Sequence, residues 1–222
     1  MHLPALTPAD VTDLLAPSFN GYEQMATDDR DYLGRAVQAL TDGRSTYVRA
    51  LGQAMAEIRA ADPVSGLTAL LSSDGALTSW CRFCYELRLH RARGYGALKA
   101  ILDILAEQEP LTLTEISQRL HRTPGSTKDY LSWLEDVDLV TSRQKRYSYT
   151  DPLLRVWVRL HCRASAPTED DLAREVHRFA LPRLPQPQQP APEAQHEPAL
   201  AMASAGASGE DDRKSWGIIE ID

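Results

Sequence analysis

No run of about 18 consecutive apolar residues occurs along the chain, so it holds no candidate membrane-spanning helix. Its first residues, MHLPALTPADVTDLL, lack the basic start and apolar block of a secretion signal, and a cytoplasmic protein with no membrane partner is expected. Cysteine is scarce. Cys81, Cys84 and Cys162 are an odd number that cannot all pair, and 222 residues can build a core without disulfides. Reduced thiols are therefore expected. Catalytic signatures are missing too: there is no GxxxxGK[ST] phosphate loop, no GxGxxG after a strand, no GxSxG elbow and no HExxH. The six histidines show no metal-site spacing, so no catalytic residue, metal or cofactor is expected in this chain alone.

One spacing looks like an exception. Cys81-Arg82-Phe83-Cys84 has the CxxC pattern of a redox site or half a zinc site, and His161-Cys162 would be the further ligands. A second CxxC or HxxxH is absent, and Trp80, Phe83, Tyr85, Leu87 and Leu89 surround the pair. It reads as thiols packed on a buried helix.

The net charge of -7 divides unevenly along the chain. Residues 1–80 carry -5, 81–110 carry +1, 111–163 carry +3 and 164–222 carry -6. A modestly basic block thus lies between two acidic ones, and the sign of the whole says little about what that block touches.

Periodicity in the first 93 residues is helical. Thr7-Pro8-Ala9-Asp10 reads as an N-cap with Pro at the first helical position, leading to Val11, Leu14 and Leu15. Asp28 to Leu40 carries Tyr32, Leu33, Ala36, Val37 and Leu40 on one stripe, closed by the turn Thr41-Asp42-Gly43. Ser45 is then expected to cap a helix with Val48, Leu51, Met55 and Ile58 inward. A further helical run covers 64–91, broken at Ser73-Asp74-Gly75.

A second unit is expected over 94–166. Leu98, Ile101, Leu102 and Leu105 mark one helix, ended by Pro110. Leu113–Leu120 makes a second, and Ser126–Val137, with Tyr130, Leu131 and Leu134 inward, makes a third. Two short strands follow, around Leu139-Val140-Thr141 and Arg146–Thr150, joined by the basic turn Ser142-Arg143-Gln144-Lys145. That order is a winged helix-turn-helix with a two-stranded wing, within a mainly α fold. A short terminal helix at 167–180 completes the folded part.

A helix-turn-helix places its last helix in the major groove. Thr123, Ser126, Thr127 and Lys128 stand at the start of that helix, Arg119 and Arg122 beside it, and Arg143, Lys145 and Arg146 on the wing. Cations there would neutralise phosphates, and the hydroxyls and helix N-terminus would donate hydrogen bonds. Against this stand a surplus of only three positive charges and the carboxylates Glu135, Asp136 and Asp138 at the far end of the helix. Duplex DNA and a regulatory protein are thus both candidate partners.

The segment Leu40-Thr41-Asp42-Gly43-Arg44-Ser45-Thr46-Tyr47-Val48-Arg49-Ala50-Leu51 resembles the helical lid of archaeal-type P-loop ATPases of the AAA+/STAND group. Tyr95–Leu160 resembles the winged helix that follows that lid, including the closing box Asp151-Pro152-Leu153-Leu154-Arg155-Val156-Trp157, and Leu3–Thr7 resembles the loop that enters it. The resemblance implies a non-catalytic C-terminal portion of an ATP-binding protein, with a helical lid over 1–93. A P-loop core would then be a partner, and Arg44 and Arg49 would contact nucleotide phosphates only if such a core, with ATP and Mg, were supplied. Arg44-Ser45 stands where the family has His-Pro, and with no core the two arginines are solvent-facing. The alternatives are a stand-alone winged-helix transcriptional regulator, whose helices before Gly94 would form a dimer interface, and an adaptor.

Residues 181–222 are Pro- and Gln-rich, then Ala-, Ser- and Gly-rich, then acidic, and are expected to be a disordered tail. Within it, Ser215-Trp216-Gly217-Ile218-Ile219-Glu220-Ile221-Asp222 has the alternation of a docking peptide for a partner's sheet edge.

Overall fold

Prolines and capping side chains set where most helices begin. Thr7, Asp62, Thr112, Thr123, Asp151 and Thr168 each accept from backbone N–H groups of the following turn, satisfying donors a helix start leaves orphaned. The computed structural model describes residues 4–18, 25–90 and 94–186. Its helices are α1 (Pro8–Leu15), α2 (Thr27–Thr41), α3 (Ser45–Ile58), α4 (Pro63–Leu71) and α5 (Ala76–His90). They continue as α6 (Tyr95–Glu107), α7 (Leu113–Arg119), α8 (Pro124–Asp136), α9 (Pro152–His161) and α10 (Glu169–Ala180). None is long and apolar enough to cross a membrane. The expected docking peptide and nearly all of the expected tail lie outside the described residues.

Three short strands, β1 (Leu111–Thr112), β2 (Val140–Arg143) and β3 (Arg146–Tyr149), form an antiparallel sheet in the order β1-β3-β2. The two-stranded wing thus gains a third strand, since Leu111 pairs with Tyr147 and Thr112 with Arg146. Two residues are too few to show an alternation in sequence. The wing turn is also tighter than expected. Arg143 pairs with Arg146, leaving Gln144 and Lys145 alone in the connection, at φ 51° and 62°. Two consecutive left-handed residues match the twist of a hairpin, and no Asn-Gly marks the turn in sequence.

Other expectations shift by local geometry. Arg44, not Ser45, is the N-cap of α3 and makes no side-chain cap bond. Ile58 and Tyr32, expected inward, are exposed. Cys81 is buried, and burial pushes its thiol pKa up, but Cys84 points outward, so the CxxC pair is split between core and surface. Among the described residues no three His, Cys, Asp or Glu side chains are grouped to hold a metal.

One apolar cluster runs from Val11 through Leu51, Leu71, Leu102, Leu134 and Trp157 to Phe179. Met1–Gln186 is a single compact unit, and the boundary expected at residue 94 falls inside it. Helix α10 packs on α4 as well as α9, so the chain returns to the early helices after the winged helix.

Helix α9 is the central strut. Its Arg155 Nε donates to Leu105 O at 3.3 Å and Ala106 O at 3.2 Å, and Arg159 Nη1 donates to Ala106 O at 2.9 Å. These guanidinium groups satisfy the last carbonyls of α6, where the helix dipole favours cations. Arg159 also forms a bidentate pair with Glu175 of α10, both nearly buried. Arg159→Ala should therefore lower unfolding free energy by about 3 kcal/mol, because it leaves the nearly buried Glu175 carboxylate with only the largely exposed Arg178, 3.7 Å away. Denaturant titration checks this, and Arg159→Met with Glu175→Leu should recover at least half of the loss.

At the other end of α9, His161 stacks on Trp157 with ring centroids 5.9 Å apart, and its Nε2 lies 2.9 Å from Leu71 O. Burial, and to a lesser extent Arg82, hold its pKa below the ordinary 6.5, with the bond to Leu71 O opposing them. On acidification the unfolded chain takes this proton first, so the contribution is complete above about pH 6.5 and is lost below it. Unfolding midpoints measured across that range should fall on the acid side, and His161→Gln should flatten the fall.

Candidate nucleic-acid interface

The helix pair α7–α8 is built by two caps and a buried seam. Thr112 and Glu115 form a capping box at α7, and Thr123 caps α8 with Pro124 in its first turn. Ile116, Leu131 and Leu134 then close against α6 and β2. Gly94 begins α6 at φ 88°, and a Cβ there would stand 2.8 Å from the Tyr130 ring, so only glycine allows this approach.

The expected site residues separate into three groups. Lys128 on α8 and Arg143 and Lys145 at the wing are exposed and have no side-chain partner among the described residues. Arg119, Arg122 and Arg146 are exposed but engaged. Arg119 Nη2 donates to Gln108 Oε1 at 2.5 Å, the Arg122 guanidinium lies 5.7 Å from the Tyr130 ring centroid, and Arg146 Nη1 is 3.9 Å from Glu115 Oε2. Contacts this weak at the surface hold a side chain in place without removing its charge.

The three hydroxyls are engaged within the turn that starts α8, and only Thr127 is buried. Thr127 is fully buried and donates to Thr123 O at 2.9 Å, so it belongs to the core and not to the surface expected of it. Its position, three residues after Pro124 and four before Leu131, falls on the buried stripe of α8. Thr123 accepts from Ser126 N as the cap, and Ser126 Oγ donates back to Thr123 O at 3.1 Å. Sequence reasoning passed over Gln118 and His121, which line a shallow depression of about 520 Å³ with Ser117, Arg122, Thr123 and Ser126. It also passed over Asp129 and Ser132, exposed on α8. Their positions relative to Lys128 carried the signal, since 128, 129 and 132 share an outward face at helical spacing.

The arginines of the lid-like segment lie elsewhere. Arg44 Nη1 donates to Asp151 Oδ2 at 2.6 Å and Nη2 to Thr150 O at 2.8 Å, while the Tyr47 hydroxyl donates to the same Asp151 oxygen at 2.5 Å. The other oxygen of Asp151 accepts from Leu153 N and Leu154 N as the cap of α9. Burial, followed by the Asp151 charge, pushes the Tyr47 phenol well above its ordinary pKa, so it stays a donor. Arg44 is thus an anchor and not the solvent-facing arginine its sequence position suggested. Arg49 is exposed beside a cleft between α3 and the α4–α5 turn.

Two helices joined by a short turn, a third helix behind them and a basic hairpin define a winged helix-turn-helix. Residues 99–144 match the family model of the IclR helix-turn-helix domain, so an IclR-type DNA-binding module occupies this part of the chain. No curated protein and no solved structure matches the chain.

The Asp151 joint makes a direct prediction. Asp151→Ala should cost roughly 2–4 kcal/mol of stability, from a lost cap and two lost charge-assisted donors. Asp151→Asn keeps an acceptor for the cap and should cost less, as read by thermal and denaturant unfolding.

Proposed function

We propose that this protein is a winged-helix transcriptional regulator that binds duplex DNA, with Lys128 on α8 at the major groove and Arg143 and Lys145 on the flanking phosphates. The observation that carries this reading is the placement of these three cations. They stand on the recognition-type helix and hairpin tip of an IclR-type module, and no intramolecular partner competes for them among the described residues. Arg119 and Arg122 add positive potential at the α7–α8 turn, where the N-terminal end of α8 favours an anion. The wing of such a module follows the backbone, whereas the recognition helix reads base edges. Wing cations therefore govern affinity and its salt dependence, and Lys128 with Ser132 governs sequence choice.

A second reading, the C-terminal portion of an ATP-binding protein, loses one of its two phosphate candidates, because Arg44 is engaged inside the fold. The lid-like segment and the Asp151-Pro152 box are more than a hundred residues apart, and Arg44 and Tyr47 meet Asp151 directly. The match at 99–144 lends that reading no support. It requires that the chain retain nucleotide through Arg49 when a P-loop core is added.

Gel retardation of mixed-sequence duplex DNA tests the main reading. The chain should shift duplex in a salt-sensitive way, and Arg143→Glu with Lys145→Glu should abolish the shift while circular dichroism stays unchanged. Replacing one wing cation with Ala should reduce the slope of log affinity against log salt by about 0.9. No shift at low salt, or a shift indifferent to both wing residues, would sink the proposal.

A further inference from the structure

The outward face of α8 has a make-up that packing within the chain does not explain. Thr127, Leu131 and Leu134 mark the buried stripe of the helix. Asp129 is two residues from Thr127 and two from Leu131, which puts it about 160° around the helix from each, on the opposite side. It is exposed and makes no hydrogen bond or ion pair among the described residues. By contrast Glu115, Asp151 and Glu175 are held by caps or arginines.

Gly125 lies one turn earlier on the same line. A Cβ added there would meet nothing within 4 Å, and its φ lies outside the left-handed region, so neither packing nor a turn calls for glycine. Ser132, beside Asp129, is exposed as well. The middle of this face is therefore low, made of bare backbone, a serine and a short carboxylate. Such a face lets the first turns of α8 settle deep in a groove and brings a short side chain within reach of base edges.

Groove chemistry restricts what a carboxylate can meet there. Phosphates on both walls repel it, so it is tolerated only where a donor faces it. The major groove offers two kinds of donor, cytosine N4 and adenine N6. Adenine N6 lies between two acceptors, its own N7 and O4 of the paired thymine, and both repel the carboxylate. Cytosine N4 has an acceptor on one side only, O6 of the paired guanine. Guanine itself presents only acceptors, and thymine an acceptor and a methyl group.

We propose that Asp129 selects cytosine in the DNA site, accepting from its N4 amino group, and excludes guanine at that position. This rests on the DNA-binding reading above and names the base its recognition helix prefers. Asp136, two turns further on, takes no part, since the N-terminal residues of such a helix meet the bases.

Duplexes selected from a randomised pool by the native full chain should share a cytosine whose replacement by guanine weakens retardation about tenfold. Asp129→Asn should move the preference at that one position from cytosine to adenine, because an amide both accepts from N6 and donates to N7. Preferences at the other positions should stay as they are. The substitution is isosteric and exposed, so the far-UV spectrum should not change. A carboxylate that only faces solvent would behave differently: Asp129→Asn would raise affinity for every duplex alike, through weaker repulsion of phosphates, and shift no preference. That result, or a selected site with no cytosine that responds to the substitution, would overturn this inference and leave the proposed function standing. Failure to retard any duplex would overturn both.

Discussion

The carboxylate of Asp151 holds together segments that local sequence alone would keep apart. One of its oxygens caps α9, and the other accepts from Arg44 and Tyr47, so the start of α9 is tied to the start of α3. From that point α9 runs past α6 with Arg155 and Arg159 four residues apart, both donating to the carbonyls that end α6. Glu175 of α10 then takes the remaining donors of Arg159. A nearly buried ion pair adds little net stability when intact and costs a great deal when half of it is missing. Its effect is to select one docking of α9, and the apolar cluster fills in around that choice.

The same economy of charge explains why an acidic protein can carry a nucleic-acid module. Arg44, Arg155 and Arg159 are engaged with carboxylates and helix ends inside the fold. Arg119, Arg122 and Arg146 are held at the surface by weak contacts, which fix direction and leave charge available. Lys128, Arg143 and Lys145 remain with no partner among the described residues. A net count cannot distinguish these three kinds of cation, because partnership depends on residues up to 107 positions away.

Much of the fold was legible because its helices announce themselves. Thr-Pro and Asp-Pro starts, glycines at turns and apolar residues at helical spacing located nearly every helix to within a few residues. The winged-helix order followed from them. What was missed has specific causes. Strand β1 is two residues long, the Gln144-Lys145 turn lacks the residues that normally mark its type, and Thr127 looks like a surface hydroxyl until its place on the buried stripe is known. Periodicity puts Ile58 in the core, but as the last residue of α3 it faces the open cleft against the α4–α5 turn. The site was legible as a set of cations and illegible as a geometry.

By itself the sequence determined the helical class, the winged helix-turn-helix and which residues carry positive charge in it, since these depend on neighbours within one or two turns. Only the tertiary structure decided that Arg44 is an anchor, that Cys84 faces outward while Cys81 does not, and that Thr127 is buried on α8 while Asp129 is exposed. Each of those outcomes turns on which side of a helix meets another helix distant in the chain. Hydrophobic periodicity identifies the stripes of a helix, and packing alone decides which stripe is buried.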